Sequence, residues 1–367
     1  MTIDQRNDTQ SGTADCPGRP LLTFALISCN QEQFVREAVE AAFAQTYSPL
    51  QIVLSDDCSD DRSFEIMRQM AETYNGPHEV VLNRNPVRRK TGGHFNRVME
   101  ISRGALIVIA AADDISLPHR TQVVYEAWER TGNKATSIFS DLIQIDEGGI
   151  IIEQFYKGER LCERGKLAEP QLEPLAYMQT FKPTVHGCTH VISPHLFRTF
   201  GNMLEQVIYE DKVLAFRSVL SGWVLYIGEP LVKYRLHGAN VFKYQRNRRA
   251  GASLKSLEEE EMSLHREYHN TEIMYQAFLN DLQKARDEKL VGERDYATMS
   301  QEAEYQRRRN FLLSSFFESG IFGKCRILFQ LQKLGMNKVD RSIVLKRLIP
   351  QSLFLRLRVA RSQIGKA

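Results

Sequence analysis

Two adjacent carboxylates follow a long apolar run in this chain. Asp113 and Asp114 come directly after the stretch from Ala105 to Ala112, which holds no polar residue. Such a run predicts a strand that is buried on both faces, as in a parallel sheet. Open α/β sheets bind ligands at the carboxyl ends of their strands, where a divalent cation on phosphate oxygens would offset the repulsion between the acids. The alternative is that both carboxylates cap a helix beginning near Pro118.

Other polar residues stand at the ends of predicted elements. They are Ser28 and Asn30 after the first strand, Asp56 after the second, Glu210 and Asp211 at the start of a helix, and Arg235 and His237 at the end of a late strand. The carboxyl ends of parallel strands meet at one edge of a sheet, so we expect these side chains to converge. Carboxylates and imidazoles there can hold a cation, accept a hydrogen bond from a nucleobase or take a proton from a hydroxyl.

The elements that must position these residues alternate regularly. Strand and helix patterns follow each other from residue 20 to about 130, which predicts an α/β fold with a doubly wound, mostly parallel sheet and flanking helices. Residues 135–245 have a mixed pattern that could complete the same sheet. We therefore expect a disordered leader at 1–19, an α/β domain at 20–245 and a helical, basic extension at 246–367.

Length and composition are those of a globular protein. The chain has 367 residues, 43% of them hydrophobic and 25% charged, and its net charge of +3 is too small to indicate a nucleic-acid partner. Its six cysteines show no CxxC pair or zinc-ligand spacing, which indicates free thiols in a reducing compartment. We find no signal-peptide pattern and no apolar run of about 18 residues, so we expect a cytoplasmic location.

Residues 306–367 are strongly basic, because they contain fourteen lysines and arginines but only two acids, Glu318 and Asp340. Aromatic and aliphatic residues are interleaved with these cations. A basic amphipathic helix suits an anionic membrane surface, which would place the protein peripherally on the inner face of the cell membrane. An alternative with equal support is that these helices pack on the α/β domain or on a second subunit. In the second case the protein would be a homo-oligomer.

Residues from about 20 to 245 resemble glycosyltransferase family 2, whose members have the GT-A fold. The resemblance rests on the order and spacing of Ile27-Ser28-Cys29-Asn30, Ala44-Gln45-Thr46, Ile52 to Asp61, Asn96 before Gly104, Asp113-Asp114 with Pro118, Glu210-Asp211 and Tyr234-Arg235-Leu236-His237. It implies an inverting enzyme that moves a sugar from a nucleoside-diphosphate donor to a hydroxyl of a glycan or lipid-linked acceptor. Bacterial surface polysaccharide synthesis is the expected setting.

The resemblance also implies which residues meet the donor nucleotide. Ser28, Asn30, Asp56 and Asp113 fall in the segments that bind it. Asp56 corresponds to the contact with the nucleobase, because a carboxylate can accept a hydrogen bond from a ring N–H. Asp113 is expected near the ribose. For Asp56, the structural alternative is a cap on the following helix.

On the phosphate side, the resemblance implies that Asp114 and His237 bind Mn²⁺ or Mg²⁺ and that Arg235 approaches the diphosphate. Such a metal would neutralise the leaving nucleoside diphosphate. The chain departs from the family pattern at Ala111, where the first acid of the Asp-x-Asp region usually stands. The departure puts the metal dependence in doubt.

Glu210 and Asp211 are the expected catalytic pair. An inverting transfer needs a carboxylate that deprotonates the acceptor hydroxyl on the sugar face opposite the leaving group. The resemblance implies that Asp211 is this base, with Glu210 either orienting it or acting in its place. The structural alternative is that both acids only favour the helix dipole at its N-terminus.

Two other classes of function are considered. The same fold could bind a nucleotide sugar or a membrane without catalysis, as Ala111 hints, although Asp114, Asp211 and His237 argue against this. A dinucleotide-dependent oxidoreductase would need a glycine-rich turn after the first strand, where this chain reads Ser-Cys-Asn-Gln-Glu-Gln.

Overall fold

The computed structural model describes residues 18–153, 161–170, 172–238, 254–348 and 354. Residues 1–17 of the predicted leader and most of the chain after 348 lie outside the described residues. The strands are β1 (Leu22–Ser28), β2 (Leu50–Asp56), β3 (Glu79–Arg84), β4 (Ile107–Ala111), β5 (Ile115–Ser116), β6 (Ser137–Ile145), β7 (Ile151–Glu153), β8 (Leu167–Ala168), β9 (Val191–Ile192) and β10 (Val224–Arg235).

The helices alternate with the strands and then continue alone. They are α1 (Val35–Phe43), α2 (Ser63–Glu72), α3 (Lys90–Ile101), α4 (Arg120–Arg130), α5 (Pro174–Thr180), α6 (His195–Phe200), α7 (Glu210–Ser221), α8 (Leu254–Asp287), α9 (Glu293–Glu318), α10 (Ile321–Leu334) and α11 (Lys338–Lys346). A 3₁₀ turn spans Gly187–Thr189.

The described strands form one mixed sheet in the order β3-β2-β1-β4-β9-β6-β10-β5, with β7 beside β6 and β8 beside β10. The longer strands pair with one another only in parallel, as β1 with β2 and β4, β2 with β3, and β6 with β10. Antiparallel pairing involves the short strands β5, β7, β8 and β9. The predicted α/β class is confirmed.

The sheet is buried on both faces, as its apolar strands predict. Along β1, Phe24 and Leu26 face a core formed with α1, α2 and α4. Ala25 faces the opposite core, which includes residues of α3 and α7. This alternation follows the two-residue period of a strand, so the carboxyl end of β1 lies between two helical layers.

The late strand pattern differs from the prediction in one respect. The sequence predicts two strands, at 224–227 and 231–236, because Gly228, Glu229 and Pro230 interrupt the apolar pattern. The structure has one continuous β10, whose register against β6 shifts on both sides of Pro230. A bulge lets the strand continue past a proline that cannot donate a ladder hydrogen bond.

The helical extension shares a core with the α/β domain. Tyr275 and Phe278 of α8 belong to the same buried cluster as Val213 and Phe216 of α7, and the Phe216 and Phe278 rings lie 4.3 Å apart between centroids. Within the described part of the chain, no helix combines the length and apolarity needed to cross a bilayer.

Candidate active site

The polar ends of three parallel strands lie side by side. Ser28 is in register with Asp56 across β1 and β2, and Ile27 is in register with Ala111 across β1 and β4. The strand order reverses at β1, because β2 and β3 follow on one side and β4 on the other. Such a switch point leaves a crevice at the carboxyl edge of a sheet, where ligands bind in open α/β folds.

Asp56 supports the loop after β2 from inside. Its side chain is fully buried, and both carboxylate oxygens accept hydrogen bonds from Ser59, one from the backbone N–H at 2.8 Å and one from the hydroxyl. Arg84 Nε lies 3.6 Å from Oδ2 of Asp56. In this geometry Asp56 shapes the loop, while its predicted contact with the nucleobase stays a prediction.

Asn30 joins the loops after β1 and β2. Its backbone N–H donates to Ser59 Oγ at 2.8 Å, and its Oδ1 accepts from the Asp60 N–H at 2.8 Å. The residue is exposed and has a φ of 55°, a left-handed conformation that asparagine tolerates well. Ser28 beside it is buried, and among the described residues its hydroxyl has no hydrogen-bond partner.

Asp113 and Asp114 have different environments although they are adjacent. Asp114 is 5% exposed, and its Oδ1 accepts the Arg235 N–H at 2.8 Å. Burial and the neighbouring Asp113 raise the pKa of Asp114 well above its usual value. Asp113 Oδ2 lies 3.0 Å from His237 Nε2 and 3.4 Å from Gln31 Nε2. The structure therefore places His237 against Asp113, whereas the sequence predicts that His237 shares a metal with Asp114.

Arg235 is a buried structural contact at the end of β10. Its Nε donates to the Asp113 carbonyl at 2.9 Å, one terminal nitrogen donates to the Glu147 carbonyl at 2.8 Å, and the other donates to Glu37 Oε2 at 2.6 Å. Its guanidinium also lies 4.9 Å from the centre of the Phe34 ring. Because the side chain is enclosed by these contacts, this geometry gives no support to the predicted approach of Arg235 to phosphate.

Glu210 and Asp211 occupy the first turn of α7 and are half-buried. Burial raises the pKa of both carboxyl groups, and the charge of Asp211 raises that of Glu210 further. The Lys212 N–H donates to Asp211 Oδ1 at 2.7 Å. A raised pKa makes a carboxylate a stronger proton acceptor, which is what a general base requires.

The segment that leads into α7 is fixed against α3. Asn96 Nδ2 donates to the Met203 carbonyl and its Oδ1 accepts the Met203 N–H, each at 2.9 Å. The Gly92 N–H donates to the Val207 carbonyl at 2.9 Å, and a Cβ at Gly92 would lie 2.3 Å from the Leu204 carbonyl oxygen. In the sequence Asn96 is recognisable only as part of a motif, and nothing there predicts its contact with Met203.

The 3₁₀ turn Gly187–Thr189 connects the two acidic pairs. A Cβ at Gly187 would lie 2.9 Å from Glu210 Oε1 and 3.8 Å from Asp211 Cβ. The next residue, Cys188, is buried, and the neighbouring Asp114 helps to raise the pKa of its thiol. Both pairs thus adjoin one short turn, which brings the start of α7 to the end of β4. No sequence signal identified this turn.

Ala111 lies where the family pattern has an acid. It packs against a small apolar cluster formed by Leu142, Cys188 and Val232, with Tyr234 beside it. The surroundings of Ala111 are therefore apolar, whereas an acid at this position would need polar partners. The residues around Ala111 therefore suit an alanine at this position better than an acid.

Two side chains at the edge of the sheet are suited to bind a metal ion. Asp113 supplies a carboxylate oxygen and His237 an imidazole nitrogen, a donor set that divalent cations accept. Among the described residues, no group of three or more His, Cys, Asp or Glu side chains is arranged to hold a metal ion. The remaining ligands would have to come from a bound diphosphate or water.

The chain is similar to glycosyltransferases. Residues 23–193 match the family model described as Glycosyl transferase family 2, which confirms the resemblance found in the sequence. An uncharacterized glycosyltransferase from Rickettsia typhi is 24% identical over 87% of this chain and 93% of its own. One from Nostoc sp. is 26% identical over 58% of this chain and 63% of its own.

Two further similarities are more partial or more distant. The succinoglycan biosynthesis protein ExoO of Rhizobium meliloti is 26% identical over 55% of this chain and 52% of its own. The crystal structure of S. aureus TarS 1-349 with UDP-GlcNAc is 12% identical over 84% of each chain, with a TM-score of 0.47. At that distance the TarS structure supports no statement about the site of this protein.

Proposed function

We propose that this glycosyltransferase transfers a sugar, with inversion, from a nucleoside-diphosphate donor to a hydroxyl of a glycan or lipid-linked acceptor. One observation carries the proposal: the acids of α7 and those that follow β4 adjoin the same turn, through Gly187 at Glu210 and Cys188 at Asp114. A proton acceptor and a diphosphate-side carboxylate thereby stand on neighbouring elements, as a direct displacement requires.

Asp211 is the general base in this proposal. It would accept the proton of the acceptor hydroxyl while the oxygen attacks the anomeric carbon and the bond to the diphosphate breaks. Glu210 lies beside it in the same helical turn, where burial and the charge of Asp211 both raise the pKa of Glu210. We assign Glu210 the role of orienting Asp211.

On the donor side we assign Asp113 and His237 to the metal. Mn²⁺ or Mg²⁺ held there would neutralise charge on the departing diphosphate. Asp114 and Arg235 position this pair, because Asp114 binds the Arg235 N–H and Arg235 binds the Asp113 carbonyl. Ser28, Asn30 and the loop that Asp56 supports would frame the nucleotide.

The acceptor and the setting rest on weaker support. The likeness to ExoO, a protein named for succinoglycan biosynthesis, favours a surface polysaccharide. The basic residues near the C-terminus favour an acceptor that is presented at a membrane.

The test is a transfer assay in which the anomeric configuration of the product is read by NMR. The purified chain is offered a panel of UDP-, dTDP- and GDP-sugars with simple glycoside acceptors. A product of opposite configuration to the donor would support the proposal. A product of retained configuration, or release of the nucleoside diphosphate that Asp211→Asn leaves unchanged, would contradict it.

A further inference from the structure

No described residue covers one side of the helices α10 and α11. On α10, Phe322 is 90% exposed and Phe329 56%, and on α11 Val339 is 66% exposed and Leu345 48%. Large apolar side chains at such exposure are unusual on a surface that meets only water, particularly when several lie close in sequence. These residues therefore indicate a surface that meets something else.

The exposed residues of α10 lie on one face of the helix. Phe322, Arg326, Phe329 and Lys333 are spaced by four, three and four residues, which places them along one side. The opposite side is buried, because Ile327 and Leu331 belong to the core cluster that α9 and α11 share. Packing therefore fixes the helix with this face outward.

Internal ion pairs remove several cations of the basic region from the surface. Arg309 pairs with the buried Asp340, and Arg347 pairs with Glu261. Lys324 is buried and donates to the Arg347 carbonyl at 3.0 Å. These residues stabilise the helical core, so they are not the ones that could bind an external anion.

The remaining cations lie beside the exposed apolar residues. Between residues 319 and 348 the only acid in the sequence is Asp340, which is buried. We define the basic aromatic face as the exposed residues of α10 and α11 that carry this pattern: Phe322, Arg326, Phe329, Lys333, Lys338, Val339, Arg341, Leu345 and Lys346. This face holds five positive charges and no negative one.

We propose that the basic aromatic face docks the protein on the surface of a bilayer rich in anionic lipids. Phenylalanine side chains enter the boundary between headgroups and acyl chains, while lysine and arginine stay with the phosphates. Each cation near an anionic surface strengthens binding about fivefold. The inference goes beyond the proposed transfer reaction and does not depend on it.

The same charges argue against a second copy of the chain as the occupant. A symmetric dimer through this face would place two sets of five cations against each other. Without intervening anions that arrangement is repulsive, whereas an anionic bilayer is complementary to it. From the sequence, the whole basic segment could meet a membrane or pack against protein; in this proposal only the residues of the basic aromatic face meet the membrane.

The experiment is co-sedimentation of the full chain with vesicles. Phosphatidylcholine vesicles are compared with vesicles containing about one third phosphatidylglycerol. Two variants weaken the face, Phe322→Ser with Phe329→Ser, and Arg326→Glu with Lys333→Glu. A control variant, Arg130→Glu with Lys284→Glu, makes the same charge change at exposed positions on α4 and α8.

We expect the wild type and the control to bind the anionic vesicles and not the neutral ones. Each face variant should bind at least about tenfold more weakly. Circular dichroism and thermal melting of every variant show that the fold is retained. Equal binding of wild type and face variants, or an equal loss in the control, would overturn the proposal. So would a wild-type dimer in sedimentation that the face variants abolish, with no binding to vesicles.

Discussion

His237 Nε2 and Asp113 Oδ2 lie 3.0 Å apart at the carboxyl edge of the sheet. The contact joins the residue that follows β10 to the end of β4, which are far apart in sequence. Phe34 packs on the imidazole, with 4.7 Å between ring centroids, and limits its orientation. A carboxylate and an imidazole held in this way can bind one cation between them, or bind each other when no cation is present.

Asp211→Asn should remove most of the transfer activity and stabilise the protein. Loss of a general base lowers turnover by about 10²–10⁴-fold. Because burial raises the pKa of Asp211 in the folded state, its ionisation costs folding free energy, and this cost is present above that raised pKa. The asparagine variant should therefore melt at a higher temperature than wild type at neutral pH. Equal melting temperatures would show that burial of the ionised Asp211 does not lower the stability of the fold.

The rate of transfer should depend on pH through the same group. Asp211 must be ionised to act, and its pKa lies above the ordinary value for aspartate. We expect kcat to rise with pH across an acid limb whose midpoint lies well above pH 4, the range of a free aspartate. A profile that is flat above pH 4 would contradict the assignment.

Arg235→Lys should lower stability although it keeps the charge. A lysine cannot reproduce the separate hydrogen bonds to Asp113, Glu147 and Glu37. We expect the free energy of unfolding to fall by about 2–4 kcal/mol in chemical denaturation, since buried carbonyls lose charged donors. The control is Arg88→Lys, whose pair with Asp60 is exposed and whose loss should change little. Equal effects of the two variants would refute the structural role of Arg235.

Gly92→Ala should reduce turnover by displacing the segment before α7. Its Cβ would lie 2.3 Å from the Leu204 carbonyl oxygen, so backbone must move. Gly93→Ala is the matched control, because the atoms nearest to its Cβ are side-chain carbons at 3.0 Å or more. We expect a lower kcat for Gly92→Ala, with nucleotide affinity nearly unchanged, and a small effect for Gly93→Ala. Equal kcat values would show that this segment does not position Asp211.

Much of the fold could be predicted from the sequence because its signals are local. Apolar runs that end in Asp56 or Asp113 locate the strands and their polar edge without knowledge of the tertiary structure. The confirmed family resemblance rests on the order of the same motifs.

The partners of the site residues could not be predicted in the same way. Asp113 and Asp114 are adjacent, and only the pairing of β5 with β10 decides which of them meets His237 and which is buried under Arg235. The turn at Gly187 has no sequence signature, since its role depends on Glu210 approaching from another helix.

Calorimetric binding of nucleoside diphosphates tests the central claim most directly. UDP, dTDP and GDP are titrated with Mn²⁺, Mg²⁺ or a chelator into wild type, Asp113→Asn, His237→Ala and Asp114→Asn, each shown to be folded. The account predicts that one diphosphate binds with metal, that Asp113→Asn and His237→Ala lose the metal-dependent part, and that Asp114→Asn retains it. No binding of any nucleotide to folded wild type, or loss of the metal-dependent part in Asp114→Asn alone, would contradict it.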